Sequence, residues 1–135
     1  MLSLPAQKFE EVIAFCKRGY PSEVCGLLLG KTKKVEQIFP ARNLNQERAS
    51  DRYELDPADF KAADESARRQ CLEIIGFYHS HPDHPPDASQ TDTERAWEGY
   101  CYLIVSVYKG KVEKIKCWRL NGDRMTEEKL EVTNG

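Results

Sequence analysis

The three histidines of this 135-residue chain all fall in the run Gly76-Phe77-Tyr78-His79-Ser80-His81-Pro82-Asp83-His84. Imidazole is the commonest metal ligand and the usual acid or base near neutral pH, so this run is where chemistry is to be sought. His79 and His81 are two apart, and Ser89 and Asp92 follow a proline-rich loop, giving the spacing H-x-H-x7-S-x2-D. On a strand, residues i and i+2 point to the same face, roughly 6.5–7 Å apart. Two imidazoles so placed can converge on one metal ion at about 2.0–2.1 Å from each nitrogen. Asp92, in the first turn of a following helix, can supply a third ligand. Three protein ligands leave a fourth position for water, as in catalytic rather than structural zinc sites. A His2Asp set suits Zn2+, and by ligand type also Fe2+ or Mn2+.

Ser89-x-x-Asp92 has the form of a capping box, which many helix starts show. The two roles are compatible, because a capping serine also presents its hydroxyl toward a metal held by Asp92. His84 lies outside the pattern and reads as a loop residue or a contact to substrate. Other motifs fail. Gly26-Leu27-Leu28-Leu29-Gly30-Lys31-Thr32 resembles a phosphate-binding loop but has one residue too few between its glycines, and its leucines belong in a strand. A zinc deaminase needs C-x-x-C and a zincin needs H-E-x-x-H, and neither occurs. Spacing alone does not pick a general base from the 22 acidic residues.

The elements that must position these residues follow from periodicity. Phe9, Val12, Ile13 and Cys16 predict a helix over about 4–18, with Ser3 as cap and Gly19 as stop. The apolar run Glu23 to Gly30 predicts a strand buried on both faces, with a neighbour over Val35 to Pro40. Arg52 to Leu55 is a candidate short strand. Asp56-Pro57 opens a second helix to about Gln70, with an N-cap acid and proline at the first position. Leu72 to Tyr78 is a central strand that delivers the histidines at its C-terminal end. Ser89 or Thr91 starts a short helix to about Gly99. Tyr102 to Tyr108 and Lys111 to Leu120 form a hairpin, and Lys129 to Val132 is a candidate edge strand. The order implies one α/β domain over 1–135, a mixed sheet with helices on its faces, and leaves room for a flexible C-terminal tail from about 121.

Composition narrows the function classes. A chain of this length fits one domain with a sizeable core. At 40% hydrophobic and 31% charged residues it has the balance of a soluble globular protein. A net charge of −2 gives no reason to expect a nucleic-acid or membrane-surface partner. No leader or membrane span is evident, so a cytoplasmic location is expected. Five scattered cysteines without C-x-x-C read as buried, reduced thiols. Cys25 stands apart because it lies close to Glu23.

His79-Ser80-His81, Ser89 and Asp92, together with Glu23 in Pro21-Ser22-Glu23-Val24-Cys25-Gly26-Leu27-Leu28-Leu29-Gly30, resemble the JAMM (MPN-domain) zinc metalloproteases, most of all the small stand-alone prokaryotic members. The likeness runs from the first helix to the hairpin near Trp118. It implies a curved mixed sheet flanked by helices, related to the cytidine-deaminase-like fold. It implies Zn2+ on His79, His81 and Asp92, with Glu23 as the acid/base that takes a proton from the attacking water and returns it to the leaving amine. It implies that Ser89 donates to the developing oxyanion, where one donor is typically worth about 2.7–4 kcal/mol of barrier. The implied reaction is hydrolysis of an amide or isopeptide bond after the Gly-Gly tail of a ubiquitin-like β-grasp protein. For small bacterial members that substrate is a sulfur-carrier protein, with cysteine or a short extension released. Short loops leave no room for the insertions with which larger relatives grip ubiquitin. Two competing expectations are a metal-stabilised module that binds such tails without cutting, and a hydrolase of small-molecule amides.

Overall fold

The computed structural model describes residues 1–46, 48–49 and 53–134. The elements in chain order are β1 (Leu2–Pro5), α1 (Ala6–Gly19), β2 (Cys25–Lys31), β3 (Lys34–Ala41), α2 (Pro57–Arg69), β4 (Glu73–Pro82), α3 (Gln90–Arg95), β5 (Cys101–Tyr108), β6 (Lys111–Asn121), β7 (Arg124–Glu128) and β8 (Leu130–Thr133). The strands form one mixed sheet in the order β7-β6-β5-β4-β2-β3-β1-β8. β4 runs parallel to β5 and antiparallel to β2, which puts it at the centre.

Alternation along the central strands separates two cores. Leu28, Tyr78, Leu103 and Val105 join Val12 and Cys16 of α1 on one face. Leu27 and Leu29 meet Ala63 and Ala67 of α2 on the other, with Phe60 and Phe77 packed alongside. The first core is the larger, and at about 1.5–3 kcal/mol per buried aliphatic side chain it carries most of the hydrophobic stabilisation. The alanine face of α2 lets that helix lie close to the sheet. Beyond α2 the same face is covered by Tyr53, stacked on the His79 ring at 4.6 Å, and by the loop after β4. Gly26 is needed for close approach, since a Cβ there would stand 2.3 Å from the Tyr78 ring.

Four differences from the sequence expectations have physical causes. The first helix begins at Ala6, because Leu2 and Leu4 alternate into the core as a strand; Pro5, not Ser3, is the N-cap, and no side chain caps the helix. The third helix stops at Arg95 rather than near Gly99: Ala96 turns extended, and the Trp97 amide donates to the Tyr102 hydroxyl. In the expected strand at 52–55, Arg52 lies outside the described residues and Leu55 makes one bridge to Asn43. In place of a flexible tail after 121, β7 pairs with β6, while the edge strand expected over Lys129 to Val132 is present as β8, paired with β1 at the far edge of the sheet. No helix among the described residues is long and apolar enough to cross a membrane.

Candidate metal centre

β4 carries both histidines inside the strand, and its alternation turns Phe77, His79 and His81 to the face that α2 partly covers. His79 and His81 are 1% and 7% exposed. Their Nε2 atoms lie 3.2 Å apart. Asp92 places Oδ1 3.3 Å from Nε2 of His79 and Oδ2 3.1 Å from Nε2 of His81. Asp92 arrives there through the capping box of α3. Its amide donates to Ser89 Oγ at 3.0 Å, and the Ser89 amide donates to Asp92 Oδ2 at 2.9 Å. One motif therefore starts the helix and aims the carboxylate.

Nδ1 of His81 lies 2.8 Å from the Pro85 carbonyl. A carbonyl can only accept, so Nδ1 carries the proton and Nε2 is left with its lone pair toward Asp92 and His79. Nδ1 of His79 is buried without a partner among the described residues, and its Nε2 is the nitrogen turned into the group. Burial lowers the His79 pKa, which favours the neutral ring that metal ligation requires. At His81 burial opposes charge, but the hydrogen bonds to Asp92 and Pro85 outweigh it and raise the pKa. Burial likewise acts against the Asp92 carboxylate, yet its contacts with the two histidines and the hydrogen bond from the Ser89 amide hold it far below the usual carboxylate range. Two imidazole nitrogens and a carboxylate thus converge on one point, with no lysine or arginine among their partners in the described residues. A divalent cation satisfies all three at once, and the ligating atoms lie within 4.8 Å of one another. The group can hold a metal ion.

Glu23 sits just before β2, 6% exposed. Its amide donates to the Ala49 carbonyl, and its own carbonyl accepts from Asn43 Nδ2 at 3.1 Å. The next residue is tied to the histidine strand twice: the Val24 amide donates to Ser80 Oγ at 3.0 Å, and the Ser80 amide to the Val24 carbonyl at 3.0 Å. The buried serine between the two histidines thus fixes where Glu23 stands, a role the motif spacing did not reveal. Glu23, His81, His84, Pro85, Asp87 and Ser89 line a cleft of about 290 Å³. His84 is an exposed rim residue of that cleft and is not in the ligand group. Cys25 is buried, with its thiol 3.7 Å from the Arg42 carbonyl, and burial pushes its pKa up to about 12. It is a protonated core thiol. Cys71 alone of the five cysteines is exposed.

A second group with ligand chemistry lies elsewhere: Cys101, Cys117 and Glu128, also within 4.8 Å of one another. Strand register makes it, since β5, β6 and β7 bring together residues far apart in sequence. Arg119 Nη2 is 2.9 Å from Cys101 Sγ, and its Nε is 3.0 Å from Glu128 Oε2. Lys33 Nζ and the Met1 amino group approach Glu128 Oε1 at 2.6 and 2.8 Å.

Known proteins resemble this chain along most of its length. Residues 5–121 match the family of prokaryotic homologs of the JAB domain. The desampylase of Haloferax volcanii is 39% identical over 78% of this chain and 80% of its own. The CysO-cysteine peptidase of Mycobacterium tuberculosis is 26% identical over 98% of this chain and 91% of its own. A solution structure of a protein from Desulfitobacterium hafniense superposes with a TM-score of 0.88 at 28% identity, covering 100% of this chain and 94% of that one. The family match over residues 5–121 and the 39% identity to the desampylase lead to one conclusion: this chain belongs to the prokaryotic JAB-domain family.

Proposed function

We propose that the chain is a zinc-dependent hydrolase that cleaves the amide or isopeptide bond after the C-terminal Gly-Gly of a ubiquitin-like β-grasp protein, a sulfur carrier in particular. The observation that carries this reading is the convergence of His79, His81 and Asp92, with His81 opening onto a cleft that Glu23 and Ser89 also line. The names of the relatives, a desampylase and a CysO-cysteine peptidase, support the substrate class.

His79 and His81 through Nε2, and Asp92 through its carboxylate, would hold the ion. Zn2+ bound there supplies a Lewis acid for the scissile carbonyl and lowers the pKa of a water toward neutrality. Glu23 takes the proton of the attacking water on its carboxylate and delivers it to the leaving amine, a role typically worth about 10²–10⁴ in rate. Ser89 Oγ already accepts from the Asp92 amide, so its hydroxyl proton is the one available to the oxyanion. The Pro85 carbonyl holds His81 in the ligating tautomer. A cytoplasmic setting suits the five free thiols.

The test is to incubate zinc-loaded protein with a β-grasp carrier bearing a C-terminal cysteine or a lysine-linked adduct, and to follow product mass. The expected result is release of the adduct after Gly-Gly, with cleavage by Glu23→Gln lowered about 10²–10⁴-fold at unchanged zinc content. No cleavage by the zinc-loaded parent, or undiminished cleavage by Glu23→Gln, contradicts the proposal. Turnover of small amides alone favours a small-molecule hydrolase.

A further inference from the structure

The loop after His81 contains Pro85 and Pro86, which have no N–H to offer, so the segment cannot satisfy its own carbonyls through regular turns. Three consecutive carbonyls instead each receive one side-chain donor from the sheet. Ser106 Oγ donates to the His84 carbonyl at 2.6 Å. His81 Nδ1 donates to the Pro85 carbonyl at 2.8 Å, and Trp118 Nε1 to the Pro86 carbonyl at 2.9 Å. The donors stand on three different strands: β5, β4 and β6. The carbonyl that sets the His81 tautomer is thus flanked on both sides by anchored neighbours. An exposed proline loop without those anchors would leave the Pro85 oxygen free to swing away, and with it the reason for Nε2 to keep its lone pair.

We propose that Trp118, assisted by Ser106, is a positioning residue for the metal centre: by clamping the 84–86 backbone it holds the Pro85 carbonyl on His81 and so presents Nε2 for ligation. The proposal rests on the reading of His79, His81 and Asp92 as metal ligands. Among the described residues Trp118 hydrogen-bonds the Pro86 carbonyl and none of the three ligands, so its effect passes through backbone. Outer partners of metal ligands typically account for about 10–100-fold in affinity, and an indirect one belongs at the lower end.

Trp118→Phe keeps an aromatic ring in place and removes the Nε1–H. The zinc dissociation constant of the full chain, measured by chelator competition, is expected to rise about tenfold. Long-range ¹H–¹⁵N spectra of the metal-free chain, at a pH where His81 is neutral, are expected to pass from one Nδ1–H tautomer to a mixture. Ile115→Val, on the same strand but in the α1-side core, is expected to leave both readouts at the parent value. Parental affinity with a single tautomer in Trp118→Phe overturns the proposal, as does an equal loss in Ile115→Val, which would mark a general effect of destabilising β6. Full zinc binding by His81→Ala overturns the underlying ligand assignment instead. If Trp118→Phe does not fold, Ser106→Ala carries the same two readouts: weaker zinc and mixed tautomers support the clamp, and parental values overturn it.

Discussion

Two clusters in this molecule have the residue types of a metal site, and they lie on opposite sides of one sheet. His79, His81 and Asp92 are on the α2 side; Cys101 and Cys117 belong to the α1-side core, with Glu128 beside them. By ligand type the sulfur cluster looks at least as suited to zinc. What surrounds each cluster separates them. Around Cys101 and Glu128 the protein supplies its own cations, Arg119 at 2.9 and 3.0 Å and Lys33 at 2.6 Å. Burial works against the Glu128 charge, yet the hydrogen bonds from Lys33, the Met1 amino group, Cys101 and Arg119 bring its pKa down to about 2. The hydrogen bond with Cys101, and then burial, push the Cys117 thiol far up, so it keeps its proton. Every negative or acceptor group there is already answered, and a divalent ion would meet like charge. Among the described residues, the histidine cluster has no lysine or arginine as a hydrogen-bond or ion-pair partner. Its two imidazole nitrogens and its carboxylate converge within 4.8 Å with no side-chain cation between them. A metal site is recognised less by which ligands are present than by whether the protein has already satisfied them.

The strongest way to break this contrast is to remove one member from each cluster. His81→Ala is expected to take zinc content from one equivalent to none while the fold survives, since a core of this size does not depend on the ion. Cys117→Ser is expected to leave one equivalent. Loss of zinc from the serine variant, or retention in the alanine variant, measured by atomic absorption, reverses the assignment. Ser89→Ala comes next. Losing the oxyanion donor is expected to lower hydrolysis about 10²–10³-fold, and losing the cap of α3 to cost about 0.5–2 kcal/mol. A rate loss in Ser89→Ala no larger than that in Cys101→Ser would remove the distinction between the clusters.

The smallest effect concerns acid stability. Glu128 has a folded pKa lowered from 4.5 to about 2, so its contribution is fully present above 4.5 and is lost as pH falls toward 2. Glu128→Gln is therefore expected to be less stable than the parent at neutral pH, with the gap narrowing between pH 4.5 and 2. Denaturant melts across that window check it, and a constant gap contradicts the ion-pair account.

The grouping of His79, His81 and Asp92 at the candidate site was legible in sequence because these residues are chemically distinctive and closely spaced. H-x-H on a strand sets one face, and the capping box sets Asp92. Glu23 was legible only through family likeness, since one carboxylate among 22 carries no local signal. What escaped acts through backbone or register. Ser80 works by gripping Val24, Pro85 by its carbonyl, and Trp118 by one N–H, and none of these leaves a spacing pattern. Cys101, Cys117 and Glu128 meet only after three strands are in register. β1 has four residues, too few for alternation to outweigh the adjoining helix. β7 is largely polar and exposed, which is how a tail reads until its partner strand is known.

The most direct test of the central claim is the absorption spectrum of the cobalt-substituted protein. One equivalent of Co2+ with nitrogen and oxygen ligands is predicted, free of any sulfur-to-cobalt charge-transfer band, and abolished in His81→Ala. A sulfur charge-transfer band that disappears in Cys117→Ser, or a second equivalent bound there, would contradict the account.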